Sequence, residues 1–339
     1  MISSEFAPKI ALLFPGQGSQ TVGMGRALYD ASPAARAVFE EADDALNFAL
    51  SDIIFNGPED TLKLTEHTQP AILTVSIAAL RVLEPELQSR NLSIAYAAGH
   101  SLGEYSAHVA AQTFSFADAV RTVCARGQFM QSAVAPGEGA MAAILGLNLP
   151  DIEAACAGAT AQLSNVEGHT NEIVTTANLN SPDQTVISGS KAAVERAAEL
   201  CKELGAKRTV MLPVSGPFHS PLMMPAQLQL TDEIGAVTFN HPRFPVVCNV
   251  DAQFLMQPDA IRDALIRQVT GAVRWVECIQ QLQLSDVTHY IEVGPGKVLS
   301  GLNRQIFKQE LEAGARTLPT LNIEDPASLE KTLAALSQS

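Results

Sequence analysis

Two short apolar runs, each stopped by a glycine-rich turn, constrain this chain more than any other feature. The first covers residues 10–14 and ends in Pro15-Gly16-Gln17-Gly18. The second covers 92–98 and ends in Gly99-His100-Ser101-Leu102-Gly103. A continuous apolar run has no polar face to offer water, so each reads as a strand buried on both sides of a parallel sheet. Parallel neighbours need crossover connections, and helical patterns occupy 33–46, 69–83, 102–111 and 115–131. Ser115 with Asp118 forms an N-cap with a supporting first-turn acid. After Pro136-Gly137-Glu138-Gly139 the texture changes. Strands are expected at 141–146, 172–177, 184–188 and 207–212, with helices at 151–157 and 191–204. That β-α-β-β-α-β order is the ferredoxin-like pattern, and Gly205 stands where a helix C′ glycine belongs. Further strands are expected at 244–249 and 289–293, with Gly294-Pro295-Gly296 opening a last helix. The fold class is therefore α/β: a large domain with a mainly parallel sheet, residues 1–139 and 214–339, and an inserted small α+β domain, 140–213.

Charge narrows the partners. The 339 residues carry 22 Lys and Arg against 36 Asp and Glu, a net charge of −14. Nucleic acid and anionic membrane surfaces need positive charge, so neither is expected, and any anionic ligand must meet a local cation. A mean hydropathy of +0.11 is too apolar for a solvated coil. Five scattered cysteines without C-x-x-C spacing read as reduced thiols, with no disulfide framework and no zinc cage. The first nine residues lack the apolar core of a signal peptide, and the apolar run at 71–80 is too short for a bilayer. A cytoplasmic protein is expected.

Gly99-x-Ser101-x-Gly103, between a strand and a helix, has the pattern of a nucleophile elbow. Its glycines allow a sharp turn that exposes the serine oxygen at a helix N-terminus. A tight turn with an N-cap serine would have the same spacing. Arg126 falls near Ala119 and Met130, at the edge of the apolar stripe of its helix, whereas Arg121 lies off it. An arginine turned inward needs an anion, either a ligand carboxylate or an Asp or Glu of the protein itself. His219 lies in the proline-bracketed stretch 215–221 and could act as a fixed general base. His100 should point away from Ser101, and Glu104 with His108 reads as a helix-surface pair. Gln17 opens from the first strand at the same sheet edge as Ser101. A backbone N–H from that loop could join that of Leu102 in an oxyanion hole. No histidine-carboxylate spacing suggests a metal.

FPGQGSQ at 14–20, GHSLG at 99–103, Arg126, ANLNSP at 177–182, GPFHS at 216–220 and EVGPGKVL at 292–299 stand together in order. This set resembles the malonyl-CoA:acyl carrier protein transacylases of fatty-acid synthesis across nearly the whole chain. The resemblance implies an α/β-hydrolase-like large domain with a ferredoxin-like insert. It also implies ping-pong malonyl transfer from malonyl-CoA to the phosphopantetheine thiol of acyl carrier protein, without a bound cofactor. Ser101 would be the nucleophile and His219 the base, oriented by the backbone carbonyl of Gln268 instead of an acid. The N–H groups of Gln17 and Leu102 would hold the oxyanion, and Arg126 would grip the malonyl carboxylate. Asn178 and Asn180 match positions near the pantetheine path, and Met130 and Asn249 match pocket positions. By the same resemblance, Phe218 would favour malonyl over methylmalonyl. Lys207 and Arg208 match a docking site for CoA or the carrier protein. A monomer is expected. A free-standing polyketide acyltransferase shares all these residues, and an esterase or thioesterase shares the elbow.

Overall fold

The computed structural model describes residues 8–164, 172–214, 216–312 and 320–337. The first apolar run is β1, Ile10–Phe14, buried at every residue. The second is β2, Ile94–Gly99. The two pair in parallel with Phe14 opposite Gly99, so both glycine turns leave the same edge of the sheet side by side. Of the remaining strands, β3 is Gly139–Leu145, β4 Val174–Ser181, β5 Gln184–Ser190 and β6 Arg208–Met211. Those that follow are β7 Val246–Val247, β8 Phe254–Leu255, β9 His289–Val293 and β10 Thr320–Ile323.

These form two sheets. The larger runs β10-β9-β1-β2-β7-β8, parallel except where β8 turns back on β7. The smaller runs β4-β5-β3-β6, antiparallel throughout, the strand order of a ferredoxin-like unit. Helices Leu149–Ser164 and Lys191–Glu203 complete it, and Ile152, Ala155, Ile187, Val194 and Ala197 share its separate apolar core. The large sheet buries apolar side chains on both faces: Leu12 and Phe14 on one, Ala11 and Leu13 on the other. That double burial is why its strands read as unbroken apolar runs. The architecture is thus a large α/β domain with a smaller inserted α+β subdomain.

Several elements depart from expectation. The helix read at 69–83 runs from Thr65 to Ser89, through Pro70 and Pro85. Burial from Thr68 to Leu80 outweighs the backbone bonds those prolines remove. The strand read at 244–249 shrinks to two residues, because Pro245 offers a carbonyl, to Ala97 N–H, but no donor. The helix opened by the glycines at 294–296, Val298–Glu312, is not the last. β10 and helix Pro326–Leu336 follow it. That final helix carried a legible signal, an Asp325 cap with Pro326 at the first position and Ser328 closing a capping box. Ser115 does accept from Asp118 N–H at 3.0 Å, and Gly205 has φ +100°. All five cysteines are free and buried. No helix among the described residues is long and apolar enough to cross a membrane. His169 and Ser215 lie outside the described residues.

Candidate active site

The elbow is built from glycines that cannot be anything larger. A Cβ on Gly99 would fall 1.9 Å from the Gly103 carbonyl, and one on Gly103 would fall 2.0 Å from Phe14 O. Strand, turn and helix therefore approach at backbone contact distance. Ser101 sits between them at φ 51°, ψ −106°, immediately before helix Leu102–Ala110. Asn249, just beyond β7, holds this conformation. Its Oδ1 accepts from Ser101 N–H at 2.7 Å and its Nδ2 donates to Gly99 O at 2.8 Å. Asn249 is wholly buried beneath the turn.

His219 meets the serine from the connection after β6, with Nε2 2.7 Å from Ser101 Oγ. Its Nδ1 lies 2.9 Å from Gln268 O and 3.1 Å from Gly271 O. Two carbonyls can only accept, so Nδ1 carries the proton and Nε2 presents its lone pair to the serine hydroxyl. Burial, and then the charge of Arg126, push the imidazole down to about 3, so it is neutral near pH 7. A neutral imidazole can take a proton. No carboxylate is needed to orient it.

Arg126 is 1% exposed, on helix Phe116–Ser132. Its Nη1 donates to Gln69 Oε1 at 2.7 Å. Its Nη2 donates to Gln268 Oε1 at 2.9 Å and to Ser101 Oγ at 3.2 Å. Among the described residues no carboxylate forms an ion pair with it, and its Nε has no acceptor. The alternative left open by the sequence, an internal salt bridge, is absent there. Burial lowers its pKa, yet a guanidinium stays charged near neutrality. The result is a buried cation with neutral partners, beside a serine oxygen.

Ser101, His219, Arg126 and Gln69 line a cavity of about 120 Å³, together with Gln17, Leu102, Met130, Asn178 and Phe218. Leu102 is the first residue of its helix, so its N–H has no intrahelical acceptor. Lys207 and Arg208 are exposed at the start of β6, away from this wall.

Two expectations are overturned. His100 does not stand apart from the site: it is among the residues lining the cavity, with its Nε2 2.8 Å from Asn180 Oδ1. Glu104 and His108 are not a surface pair, because every residue of helix Leu102–Ala110 is buried. His108 Nδ1 faces Thr113 Oγ1 at 3.1 Å, and burial pushes the ring down to about 3. Burial likewise pushes the Glu104 carboxyl up to about 7, against bonds from Asn249 N–H and Gln268 and the charge of Arg126. Gln69, which ties Arg126, escaped the sequence reading. Its only signal was an amide at the head of an apolar helical stretch. Glu292, in the motif at 292–299, accepts from Leu299 and Ser300 N–H at 3.0 and 2.8 Å and so anchors a helix start.

The family model described as acyl transferase domain matches residues 11–338. The malonyl CoA-acyl carrier protein transacylase of Bacillus subtilis is 46% identical over 330 residues, covering 97% of this chain and 98% of the relative. Among solved structures, the acyl-carrier-protein S-malonyltransferase of Bartonella henselae superposes with a TM-score of 0.88. Its identity is 43%, with 97% of this chain and 99% of that one covered. A malonyl-transacylase in complex with its type II polyketide acyl-carrier protein superposes at 0.87, with 41% identity and 96% and 99% coverage. Elbow, imidazole and unpaired guanidinium converge with these likenesses on one conclusion: the chain belongs to the malonyl-CoA:acyl carrier protein transacylase family.

Proposed function

We propose that the chain transfers malonyl from malonyl-CoA to the phosphopantetheine thiol of acyl carrier protein through a malonyl-Ser101 ester, in the cytoplasm. One observation carries the residue assignment: the nucleophile oxygen is 2.7 Å from a base and 3.2 Å from a buried guanidinium without a carboxylate. Ser101 Oγ attacks the thioester carbonyl carbon while His219 Nε2 takes its proton. The N–H groups of Gln17 and Leu102 receive the negative oxygen, helped by the helix N-terminus. The carbon–sulfur bond then breaks, and the imidazolium returns its proton to the departing CoA sulfur. The carrier's thiol repeats these steps in reverse, leaving Ser101 free. Arg126 takes the malonyl carboxylate two-on-two, and Met130, Asn178 and Phe218 bound the acyl chamber. The two thioesters arrive and leave as substrates, so no resident cofactor enters.

Lys207 and Arg208 are the docking contact in this reading. The chain and its carrier partner are both acidic, so docking must be local. Initial rates at varied concentrations of both substrates should give parallel double-reciprocal lines, the signature of an intermediate that outlives CoA release. Intersecting lines, or hydrolysis of malonyl-CoA as fast as transfer, would refute the transferase reading. Reversing both charges, Lys207→Glu with Arg208→Glu, should raise the carrier-protein KM several-fold, most at low salt. An unchanged KM removes these residues from the interface. The likeness to the transacylase of a polyketide complex supports a second acceptor class. The ratio of kcat/KM for fatty-acid and polyketide carriers decides between them.

A further inference from the structure

Helix Leu102–Ala110 carries a carboxyl group that the reaction above does not use. Glu104 is fully buried, although burying a carboxyl is costly and an elbow needs only small residues there. Its Oε2 accepts from Gln268 Nε2 at 2.8 Å and from Asn249 N–H at 3.0 Å. Its Oε1 has no partner among the described residues. Both bonds lead to the reacting centre. The other end of the Gln268 amide, Oε1, accepts from Arg126 Nη2 at 2.9 Å. The other end of Asn249, Oδ1, accepts from Ser101 N–H at 2.7 Å.

A carboxamide is nearly symmetric in shape but has a donor end and an acceptor end. Turned over, Gln268 would aim N–H groups at a guanidinium that can only donate. The amide nitrogen faces acceptors alone, namely Ser101 O at 2.9 Å, Asn249 Oδ1 at 3.3 Å and Glu104 at the shortest distance, 2.8 Å. We propose that Glu104 is a positioning residue for acyl selectivity: its bond to the amide nitrogen anchors the Gln268 side chain with its oxygen towards Arg126, and so sets where the guanidinium waits for a free carboxylate. Removing it takes away the shortest bond on that nitrogen, so the amide shifts and Arg126 with it, which harms malonyl transfer and spares an acyl group lacking the carboxylate.

The inference rests on Arg126 being the malonyl clamp, so Arg126→Ala is measured in parallel. The readout is kcat/KM for acyl-enzyme formation from malonyl-CoA and acetyl-CoA, with thermal melts confirming a folded protein. Glu104→Leu should lower the malonyl-to-acetyl ratio by roughly tenfold or more, and Glu104→Gln, which keeps an accepting oxygen, should hold it within about threefold. Adding Gln268→Leu to Glu104→Leu should change the ratio no further than Gln268→Leu alone. Should Glu104→Leu not fold, Glu104→Asp withdraws the oxygens by one methylene and should relax the ratio in the same direction. Equal losses with both substrates, an equally severe Glu104→Gln, independent effects in the double variant, or a wild-type ratio in Glu104→Asp would each overturn the proposal. An Arg126→Ala enzyme with an unchanged ratio instead removes the clamp itself.

Discussion

Arg126→Ala is expected to cut kcat/KM for malonyl-CoA on the order of a hundred- to a thousandfold, the effect of truncating one partner of a buried charge pair. Acetyl-CoA should lose far less. The asymmetry follows from the neutral hydrogen-bond partners of the guanidinium, none of which is a carboxylate. Gln69 and Gln268 hold it without neutralising it, so an acyl group without a carboxylate leaves a buried cation unpaired. In Arg126→Ala the penalty for acetyl is gone, and so is the attraction for malonyl. A malonyl-to-acetyl ratio equal to that of the wild type in steady-state kinetics would sink this role.

The second large effect is expected at His219. His219→Ala should slow acyl-enzyme formation by roughly 10²–10⁴-fold, the usual worth of a positioned general base. The pH profile carries the same information. Burial and then Arg126 hold the imidazole down to about 3 in the free protein. The base therefore stays unprotonated as pH falls from 7 towards 5, and the acid limb of kcat/KM should lie well below the ordinary histidine value near 6.5. Removing the Arg126 charge takes away one of the depressing causes, so that limb should move upward in Arg126→Ala. Rate measurements across pH 4 to 8 check both. A wild-type limb centred at the ordinary value, unmoved by Arg126→Ala, would contradict the environment described.

The backbone of this site was largely legible in the chain. Residues 10–14 carry their burial on both faces, the second run is fully buried only where it reaches the turn, at Ala97 to Gly99, and glycines at 99 and 103 mark a backbone approach that no side chain tolerates. The ferredoxin-like order was legible for a related reason, since its strands and helices have separate periodicities. What could not be read was the polar interior. Helix Leu102–Ala110 is covered on all sides, and no periodicity distinguishes a buried Glu104 or His108 from a surface one. Asn249 lies 148 residues from the serine backbone it holds, and Gln69 lies 57 from Arg126. Contacts at such separations depend on strand order, which a local pattern does not encode. The place of His100 could not be read for the same reason, because its partner Asn180 belongs to the other sheet.

The transfer mechanism depends on Ser101 becoming acylated. Intact-mass spectrometry after mixing with malonyl-CoA, with no carrier protein present, tests this most directly. The wild type should gain a single malonyl group that disappears when the carrier's thiol is added, and Ser101→Ala should gain none. An unmodified wild type that still transfers malonyl, or a Ser101→Ala protein that still carries it, would contradict the mechanism.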